Sequence, residues 1–203
     1  MGKTNFIFIG AGGHARFLAS AIESIDGELV AVFDQDPLKK HLDGVVNLGN
    51  YGGNIYSHAK VLIAIGDNLI RKKISANILH EFGQVVHAAA QVDRLAQLSK
   101  GVQVMSGAII NRGAQIGNHT IINSNATVEH DCKIDDFVHM APGATICGGV
   151  EVGEATLIGA NATVLPRCII GQNVTIGAGA VVISNIPDNV TVAGVPSKII
   201  SYG

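Results

Sequence analysis

Aliphatic side chains recur at every sixth position through the second half of the chain. The series runs unbroken from Val104 to Val182, and all fourteen positions hold Ile, Val or Met. Small residues stand two positions before many of these aliphatics, as at Ala108, Ala126 and Ala144. A period of six fits neither the 3.6-residue helix nor a simple alternating strand. It predicts short strands separated by corners and stacked into a parallel β-helix, with the aliphatics inside.

The same repeat predicts what lies at the corners and on the faces of the β-helix. Glycine often follows the inward aliphatic directly, at Gly117, Gly153, Gly159, Gly171 and Gly177. We expect Gly or Asn at the corners, because a positive φ costs these residues little. The flat faces should be rich in Ala, Thr, Val and Ile, with few charges. Such faces favour burial against copies of the same chain.

The first 82 residues have a different pattern, typical of an α/β unit. Short apolar runs predict strands at 6–9, 28–33 and 61–65, and a helix from about 15 to 25. A second helix follows Asp67, which is a good N-cap, with Ile70, Ile74 and Ile78 along one side. The basic run at residues 71–73 is interpreted as a solvated helix face rather than a phosphate contact.

A glycine-rich turn follows the first predicted strand. Gly10, Gly12 and Ala15 satisfy G-x-G-x-x-[GA], and Asp34 lies about twenty residues further on, which by motif alone indicates a dinucleotide site. The unit is only about half of a full Rossmann fold, so a mononucleotide half-site suits it better. Its phosphates would lie at the helix N-terminus and Asp34 near the ribose or base. A tight turn that binds nothing is the alternative.

Composition and charge exclude several classes of protein. The chain is 47% apolar but only 4% aromatic, and its net charge is −2 with no basic face, which disfavours nucleic-acid binding. No apolar run approaches the length of a membrane span or a secretory signal, so a cytoplasmic protein is expected. The three cysteines, Cys132, Cys147 and Cys168, form no CxxC pair and are interpreted as small buried thiols.

One histidine in the repeat is followed by a carboxylate. His130 comes two positions after an inward valine, so it should face outward near a corner, and Asp131 follows it at once. Imidazole can accept a proton near neutral pH, and a neighbouring carboxylate increases its basicity. The pair is therefore a candidate general base, with a solvated corner as the alternative interpretation.

The hexads resemble the hexapeptide-repeat acyltransferases, as does the tail from Ala193 to Lys198. The run from Gly10 to His14 and the run from Ile63 to Lys73 resemble the nucleotide-amino-sugar N-acetyltransferases of the bacillosamine type. These enzymes are close to the sialic acid O-acetyltransferases. The resemblance implies a Rossmann-like half domain at 1–86, which binds the nucleotide sugar. It also implies an all-β left-handed parallel β-helix at 87–203, with three hexads per coil and about five coils.

The resemblance also implies an activity, partners and site residues. The expected reaction is direct acetyl transfer from acetyl-CoA to the amine of a UDP-linked 4-amino sugar, in a cytoplasmic homotrimer with the active site between subunits. His130 would be the base, Asp131 its partner, and the backbone N–H of Gly148 the oxyanion donor. The expected acetyl-CoA contacts are His139, Ala160 and Ala178. The expected substrate contacts are Gly12, Gly13, His14, Asp34, Gln35, Gly66 and, near the base, Asn123.

Other functions stay open at this point. An O-acetyltransferase acting on sialic acid or another nucleotide sugar would use the same base chemistry. An acyl-cysteine on Cys147 has no evident base beside it in the sequence. A zinc enzyme built on His119, His130 and His139 is disfavoured, because their spacing differs from the eighteen residues of one coil; no metal is expected. A scaffold protein without activity is the remaining alternative.

Overall fold

The chain, seen in a computed structural model, forms a small α/β unit joined to a long β-solenoid. The structure describes residues 3–53 and 55–202. Among these residues, no helix is both long and apolar enough to cross a bilayer.

The front unit is a three-stranded parallel sheet with a helix on each side. Its elements are β1 (Asn5–Ile9), α1 (Gly13–Ser24), β2 (Glu28–Phe33), β3 (His41–Leu42), β4 (Val45–Val46), β5 (Lys60–Ile63) and α2 (Asn68–Ser75). The strand order β2-β1-β5 places the first strand in the middle, so its carboxyl end and the glycine turn lie centrally at one edge of the sheet. The predicted strands and helices are therefore present, with ends shifted by one or two residues.

The second unit is a stack of about six coils built from two-residue strands. They are β6 (Val85–Val86), β7 (Gln91–Val92), β8 (Gln97–Leu98), β9 (Gln103–Val104), β10 (Ile109–Ile110), β11 (Gln115–Ile116), β12 (Ile121–Ile122), β13 (Thr127–Val128), β14 (Lys133–Ile134), β15 (His139–Met140), β16 (Thr145–Ile146), β17 (Glu151–Val152), β18 (Leu157–Ile158), β19 (Thr163–Val164), β20 (Ile169–Ile170), β21 (Thr175–Ile176) and β22 (Val181–Val182). The predicted inward aliphatics are all buried, in one continuous core. The six-residue register starts earlier than predicted, because Val86, Val92 and Leu98 extend it by one coil.

Three parallel sheets form the faces of the solenoid, and they differ in character. The seam face, against which the front unit packs, contains β6, β9, β12, β15, β18 and β21. The neutral face contains β7, β10, β13, β16, β19 and β22, with Ile109, Thr127, Thr145 and Thr163 outward. The charged face contains β8, β11, β14, β17 and β20, and carries the Lys133–Glu151 ion pair. The expectation of three similar faces with few charges is therefore wrong, since only the neutral face fits it.

The corners follow a stricter rule than predicted. Every sixth residue has a positive φ, in the series 101, 107, 113, 119, 125, 131, 137, 143, 149, 155, 161, 167, 173 and 179. Glycine, Asn or Asp fill most of these positions, as expected for left-handed backbone. The glycines that follow the inward aliphatics are not among them, which corrects their predicted role. A Cβ on Gly117, Gly153 or Gly159 would lie 2.5–2.6 Å from backbone atoms of the next coil, so close stacking explains these glycines.

The chain ends by covering the last coil. β23 (Val190–Ala193) pairs in parallel with β21, and β24 (Lys198–Tyr202) returns antiparallel along β23. The turn between them is fixed to β22, because the N–H of Ser197 donates to the carbonyl of Val181 at 2.8 Å. The tail that resembles the acyltransferase ending therefore closes the open end of the core.

Candidate active site

The predicted base and its carboxylate lie at the corner between the neutral and charged faces. His130 follows β13, and its Nδ1 is 2.9 Å from Oδ2 of Asp131. The two side chains are 64% and 74% exposed, so the pair stands in solvent beside the solenoid. Such a pair can exchange protons with a ligand that approaches from outside the chain.

The corner itself explains why Asp131 occurs at this position. Its φ of 59° belongs to the series of left-handed corner residues, in which Asn125 and Asn161 hold the same place. Asp and Asn tolerate this conformation better than most residues. One coil below, a Cβ on Gly113 would lie 2.6 Å from Oδ1 of Asp131, so glycine leaves the space that the carboxylate occupies.

Gly148 lies directly above His130 in the next coil. A Cβ at Gly148 would be 2.6 Å from Nε2 of the imidazole, so no other residue leaves the ring in this place. The N–H of Gly149 donates to the carbonyl of His130 at 3.0 Å, whereas the N–H of Gly148 has no partner in the described part of the chain. A basic nitrogen and a free backbone donor therefore stand side by side, as acyl transfer requires.

A second group of predicted residues lies at the seam between the two units. His139, on β15, has its Nδ1 3.1 Å from the carbonyl oxygen of Gly66 and its Nε2 3.1 Å from Nδ2 of Asn123. Within one chain, Asn123 thus lies beside His139. Burial, followed by the charge of Arg71, lowers the pKa of His139 to about 4. His139 is consequently neutral at physiological pH.

His14 extends this buried polar group into the front unit. Its Nε2 is 2.7 Å from Oε1 of Gln103, and the amide of Gln103 donates to the carbonyl of Ile63 at 2.9 Å. The rings of His14 and His139 are 6.3 Å apart. Burial lowers the pKa of His14 below its usual value. The two histidines therefore face each other across the seam as neutral groups.

The glycine turn has one glycine that the fold requires and two that it does not. Gly10 has a φ of 107°, and a Cβ there would lie 2.8 Å from Ile65. Gly12 and Gly13 have ordinary φ and nothing within 4 Å of an added Cβ. α1 begins at Gly13 with no side-chain cap, so the first N–H groups of the helix face open space. That arrangement can bind an anion.

Asp34 is engaged within the front unit rather than directed at open space. Its Oδ2 accepts from the N–H of Ala11 at 2.7 Å and from Nζ of Lys39 at 2.9 Å, and its Oδ1 accepts from the N–H of Asp36. These hydrogen bonds hold the pKa of Asp34 below its ordinary value against the desolvation that would raise it. The carboxylate thus fixes the glycine turn, while the neighbouring Gln35 is exposed.

The predicted cofactor contacts Ala160 and Ala178 lie at the corner between the seam and neutral faces. They occupy the same place in successive coils, and the N–H of Gly179 donates to the carbonyl of Ala160 at 2.8 Å. An open cleft of about 350 Å³ lies on the seam face, on the side that adjoins the charged face. Its lining includes Gly66, Asp67, His139, Leu157 and Thr175. The cleft connects the start of α2 with the last coils of the solenoid.

Sequence reasoning misassigned Arg71, which is fully buried at the centre of the seam. Its guanidinium donates to the carbonyls of Ile65 and Gly66 in the front unit, and to those of His119 and Phe137 in the solenoid, at 2.8–3.1 Å. The solvated side of α2 is instead formed by Lys72 and Lys73 and by Ile70, which is 50% exposed. Arg71 and Ile70 are three and four residues before Ile74, and both spacings place side chains on the same side of a helix. The sequence pattern alone therefore does not determine which of the two residues is buried with Ile74.

The sequence suggests His119 only as a possible metal ligand, whereas its side chain lies between two aromatic rings. Its ring stacks on Phe137 at 5.1 Å and meets the edge of Phe82 at 4.4 Å. Burial lowers its pKa to about 4. In the described part of the chain, no three His, Cys, Asp or Glu side chains come close enough to hold a metal ion.

The cysteines lack the features of a nucleophile. All three are free thiols. Burial, followed by the charge of Glu129, raises the pKa of Cys147, which disfavours the reactive thiolate. An acyl-cysteine at this position therefore finds no support in the surroundings of the thiol.

The two groups of site residues lie on opposite sides of the solenoid. Each coil runs from the neutral face to the charged face and then to the seam face. The corner that carries His130 lies between the first two, so it is opposite the seam face where His139 and the front unit meet. One chain therefore does not bring its own base to its own front unit.

This combination of a six-residue β-solenoid and an exposed His–Asp corner beside a glycine defines a hexapeptide-repeat acyltransferase. Residues 5–78 match the family described as PglD N-terminal domain, and residues 113–148 and 149–184 match bacterial transferase hexapeptide (six repeats). The chain belongs to the nucleotide-sugar N-acetyltransferase family and is an acetyltransferase.

Three solved structures show how far the similarity extends. PerB from Caulobacter crescentus, in complex with CoA and GDP-perosamine, is 33% identical over 99% of this chain and 98% of its own, with a TM-score of 0.90. A variant of perosamine N-acetyltransferase from the same organism, with a histidine replaced by asparagine, has the same identity and coverage and a TM-score of 0.94. The acetyltransferase domain of PglB from Neisseria gonorrhoeae, in complex with acetyl coenzyme A, is 32% identical over 98% of this chain and 100% of its own, with a TM-score of 0.91.

Proposed function

We propose that this acetyltransferase transfers the acetyl group of acetyl-CoA to the amino group of a UDP-linked 4-amino sugar. The similarity to PerB bound to CoA and GDP-perosamine supports a nucleotide-linked amino sugar as acceptor, and the PglB domain bound to acetyl coenzyme A supports the donor. The uridine base and the 4-amino position extend the proposal beyond those names. The observation that carries it is the position of the His130 Nε2 beside Gly148.

The proposed chemistry uses direct attack. The amine nitrogen bonds to the thioester carbonyl carbon while Nε2 of His130 accepts the amine proton. Asp131, hydrogen-bonded to Nδ1, orients the ring so that Nε2 is the nitrogen that accepts the proton. The N–H of Gly148 donates to the oxygen that becomes negative in the tetrahedral intermediate. Collapse breaks the C–S bond, and the proton held by His130 passes to the sulfur of CoA.

The acceptor would be bound by the front domain, residues 1–86. The free N–H groups at Gly12 and Gly13, at the start of α1, suit the diphosphate of a nucleotide sugar. Gln35 is exposed beside the same turn and is available to the nucleoside, whereas Asp34 would act mainly by fixing the turn. His14 and Gly66 would line the path toward the solenoid.

The donor would follow the solenoid domain, residues 87–203. Ala160 and Ala178 lie at the corner between the seam and neutral faces, and the cleft lined by His139 lies on the same seam face, on the side of Ala155 and Asn173. A long flexible arm such as pantetheine fits a narrow open path better than a closed cavity. The acetyl end would then lie near His139 and Asn123, with the nucleotide end toward the last coils.

A trimer would unite the two halves of the site. His130 lies at one edge of the neutral face, and Asn123, Ala160 and Ala178 lie at the other. If three copies turn this uncharged face toward a common axis, the His130 corner of one copy meets the seam corner of the next. The base would then reach the acceptor held by a neighbour, which a single chain does not allow.

A CoA-release assay tests the proposed function. Purified protein would be given acetyl-CoA and a panel of UDP-, GDP- and CMP-linked amino sugars, together with sialic acid as a hydroxyl acceptor. We expect turnover with a UDP-linked 4-amino sugar and product heavier by one acetyl group. Turnover with sialic acid alone would favour the O-acetyltransferase, and turnover only with another nucleotide would correct the base. Absence of release with every acceptor would refute the proposal.

A further inference from the structure

Arg71 is a buried cation with no carboxylate among its hydrogen-bond partners. Its six contacts within 3.4 Å are five backbone carbonyl oxygens and Oδ1 of Asn68. Burying a charge in this way is costly, and neutral dipoles compensate only part of the cost. An uncharged side chain could fill the same space, so the charge itself requires an explanation.

The carbonyl of Gly66 connects Arg71 with His139. It accepts from Nη1 of Arg71 at 3.1 Å and faces Nδ1 of His139 at 3.1 Å. A carbonyl oxygen only accepts, so Nδ1 of His139 must carry the proton in this contact. Arg71 thereby holds the group that selects the protonated nitrogen of His139.

The other ring nitrogen is fixed from the opposite side. Oδ1 of Asn123 accepts from the N–H of Ser124 at 2.8 Å, which directs its Nδ2 toward Nε2 of His139 at 3.1 Å. Because that amide nitrogen only donates, Nε2 of His139 must be the acceptor. Both neighbours therefore require the same neutral tautomer.

We propose that Arg71 is a positioning residue for His139, which it keeps neutral, with the proton on Nδ1 and the acceptor nitrogen, Nε2, on the side of Asn123. The charged and titratable groups around the imidazole are Arg71 on α2, His14 on α1 and, at the exposed cap of α2, Asp67. Burial is the main cause of the lowered pKa of His139, and the positive charge of Arg71 adds to it by disfavouring a second proton on the ring. As far as acetyl-CoA binding is concerned, this inference rests on the proposed function.

Histidine ¹⁵N NMR tests the proposal without any substrate. In the wild-type protein the His139 signals, assigned by comparison with His139→Gln, should show a neutral ring protonated at Nδ1 from pH 7.5 down to pH 5. A ring protonated at Nε2, or charged at pH 6, would overturn the proposal whatever the enzyme acetylates.

Two variants of α2 separate the charge of Arg71 from general effects. Arg71→Met and Lys72→Met each remove one positive charge from the same helix, but Lys72 only pairs with Glu154 at the surface. We expect Arg71→Met to raise the apparent pKa of His139 by at least one unit and to mix its tautomers, and Lys72→Met to change neither. Unchanged His139 signals in a folded Arg71→Met protein would overturn the proposal.

Arg71→Lys keeps the charge but reaches fewer carbonyls, because its ammonium lacks the planar fork of five donors. It should keep His139 neutral and restore only part of the tautomer preference. If Arg71→Met fails to fold, this variant and the wild-type spectrum still decide the question. With acetyl-CoA, Arg71→Lys should raise KM about threefold to tenfold and change kcat less. If kcat alone falls, the link to His139 is wrong even when the proposed activity is present.

Discussion

His130 and His139 lie in the same solenoid and in opposite surroundings. His130 is 64% exposed in its side chain and contacts a carboxylate, whereas His139 is half-buried between neutral groups and close to a buried cation. The surroundings of His139 lower its pKa to about 4, which makes its ring a poor proton acceptor at neutral pH. The contrast fits the proposed roles, with proton transfer at the corner and ligand contact at the seam.

The comparison also fits the proposal that the complete site is formed between two copies of the chain. A group that must meet a ligand bound elsewhere has to project from the surface, as His130 does. A group that shapes a binding cleft is better fixed by several partners, as His139 is. Variants at both positions test whether this division of roles is correct.

The largest effect is expected from removing the corner imidazole. His130→Ala should lower kcat by about 10²–10⁴, the usual contribution of a positioned general base, and change KM for acetyl-CoA little. His139→Ala is the matched variant and should raise KM for acetyl-CoA more than it lowers kcat. Steady-state kinetics of both variants are the measurement. If His139→Ala abolished kcat while His130→Ala kept most of it, the two roles would be the reverse of those proposed.

A lysine on the neutral face should come next in effect. Thr145→Lys places a charge on the surface proposed to face two neighbouring copies, so we expect light scattering to report monomers and kcat/KM to fall by at least about tenfold. Ile169→Lys puts the same residue at the equivalent outward place of the charged face. It should leave both oligomeric state and activity intact. A Thr145→Lys protein that remains a trimer, or an active monomer, would contradict the shared site.

Asp131→Asn should produce a smaller loss. Asn keeps the left-handed corner, as Asn125 and Asn161 do, but removes the negative charge beside the imidazole. We expect kcat to fall about tenfold, which corresponds to about 1.4 kcal/mol, with thermal stability unchanged. Asp131→Ala should lower kcat similarly and also destabilise the corner by about 1 kcal/mol. If Asp131→Asn and the wild type had equal kcat, Asp131 would have only a structural role at the corner.

The smallest effect concerns stability and pH. The pKa values of His119 and His139 are lowered to about 4 from 6.5, so the unfolded chain binds more protons between these values. Stability should be complete above pH 6.5 and decrease as the pH falls toward 4. We expect Tm to drop by several degrees over this range in calorimetry. His119→Phe keeps a ring between Phe82 and Phe137 and should show a smaller drop in Tm over this pH range. A drop equal to that of the wild type would show that His119 does not contribute to the pH dependence of stability.

Much of the fold could be predicted because one spacing repeats. The inward aliphatics from Val104 onward were found from the sequence, and each is buried. The first coil lies outside the predicted series, although Val86, Val92 and Leu98 keep the same register. The role of glycine was misassigned for a physical reason: stacking distance and left-handed backbone both select glycine, and the sequence does not separate them.

The site was predictable only where it is local in sequence. His130 and Asp131 are neighbours in the chain, so their contact follows directly. The contacts of Arg71 with the solenoid join residues 48 to 67 positions apart, and an arginine before two lysines has the composition of a solvated surface. The contact between Asn123 and His139 likewise depends on which face of the solenoid each residue adjoins. The repeat alone does not specify this.

The unbroken six-residue period also fixes the distances along the solenoid axis. Each coil adds eighteen residues and advances the stack by about 4.8 Å, the spacing of neighbouring strands. One inserted residue would turn every later aliphatic outward, so the distance between the His130 corner and the end of the cleft can change only by whole coils. If the donor follows the solenoid as proposed, adapting this scaffold to a longer or shorter donor would require adding or deleting a complete turn.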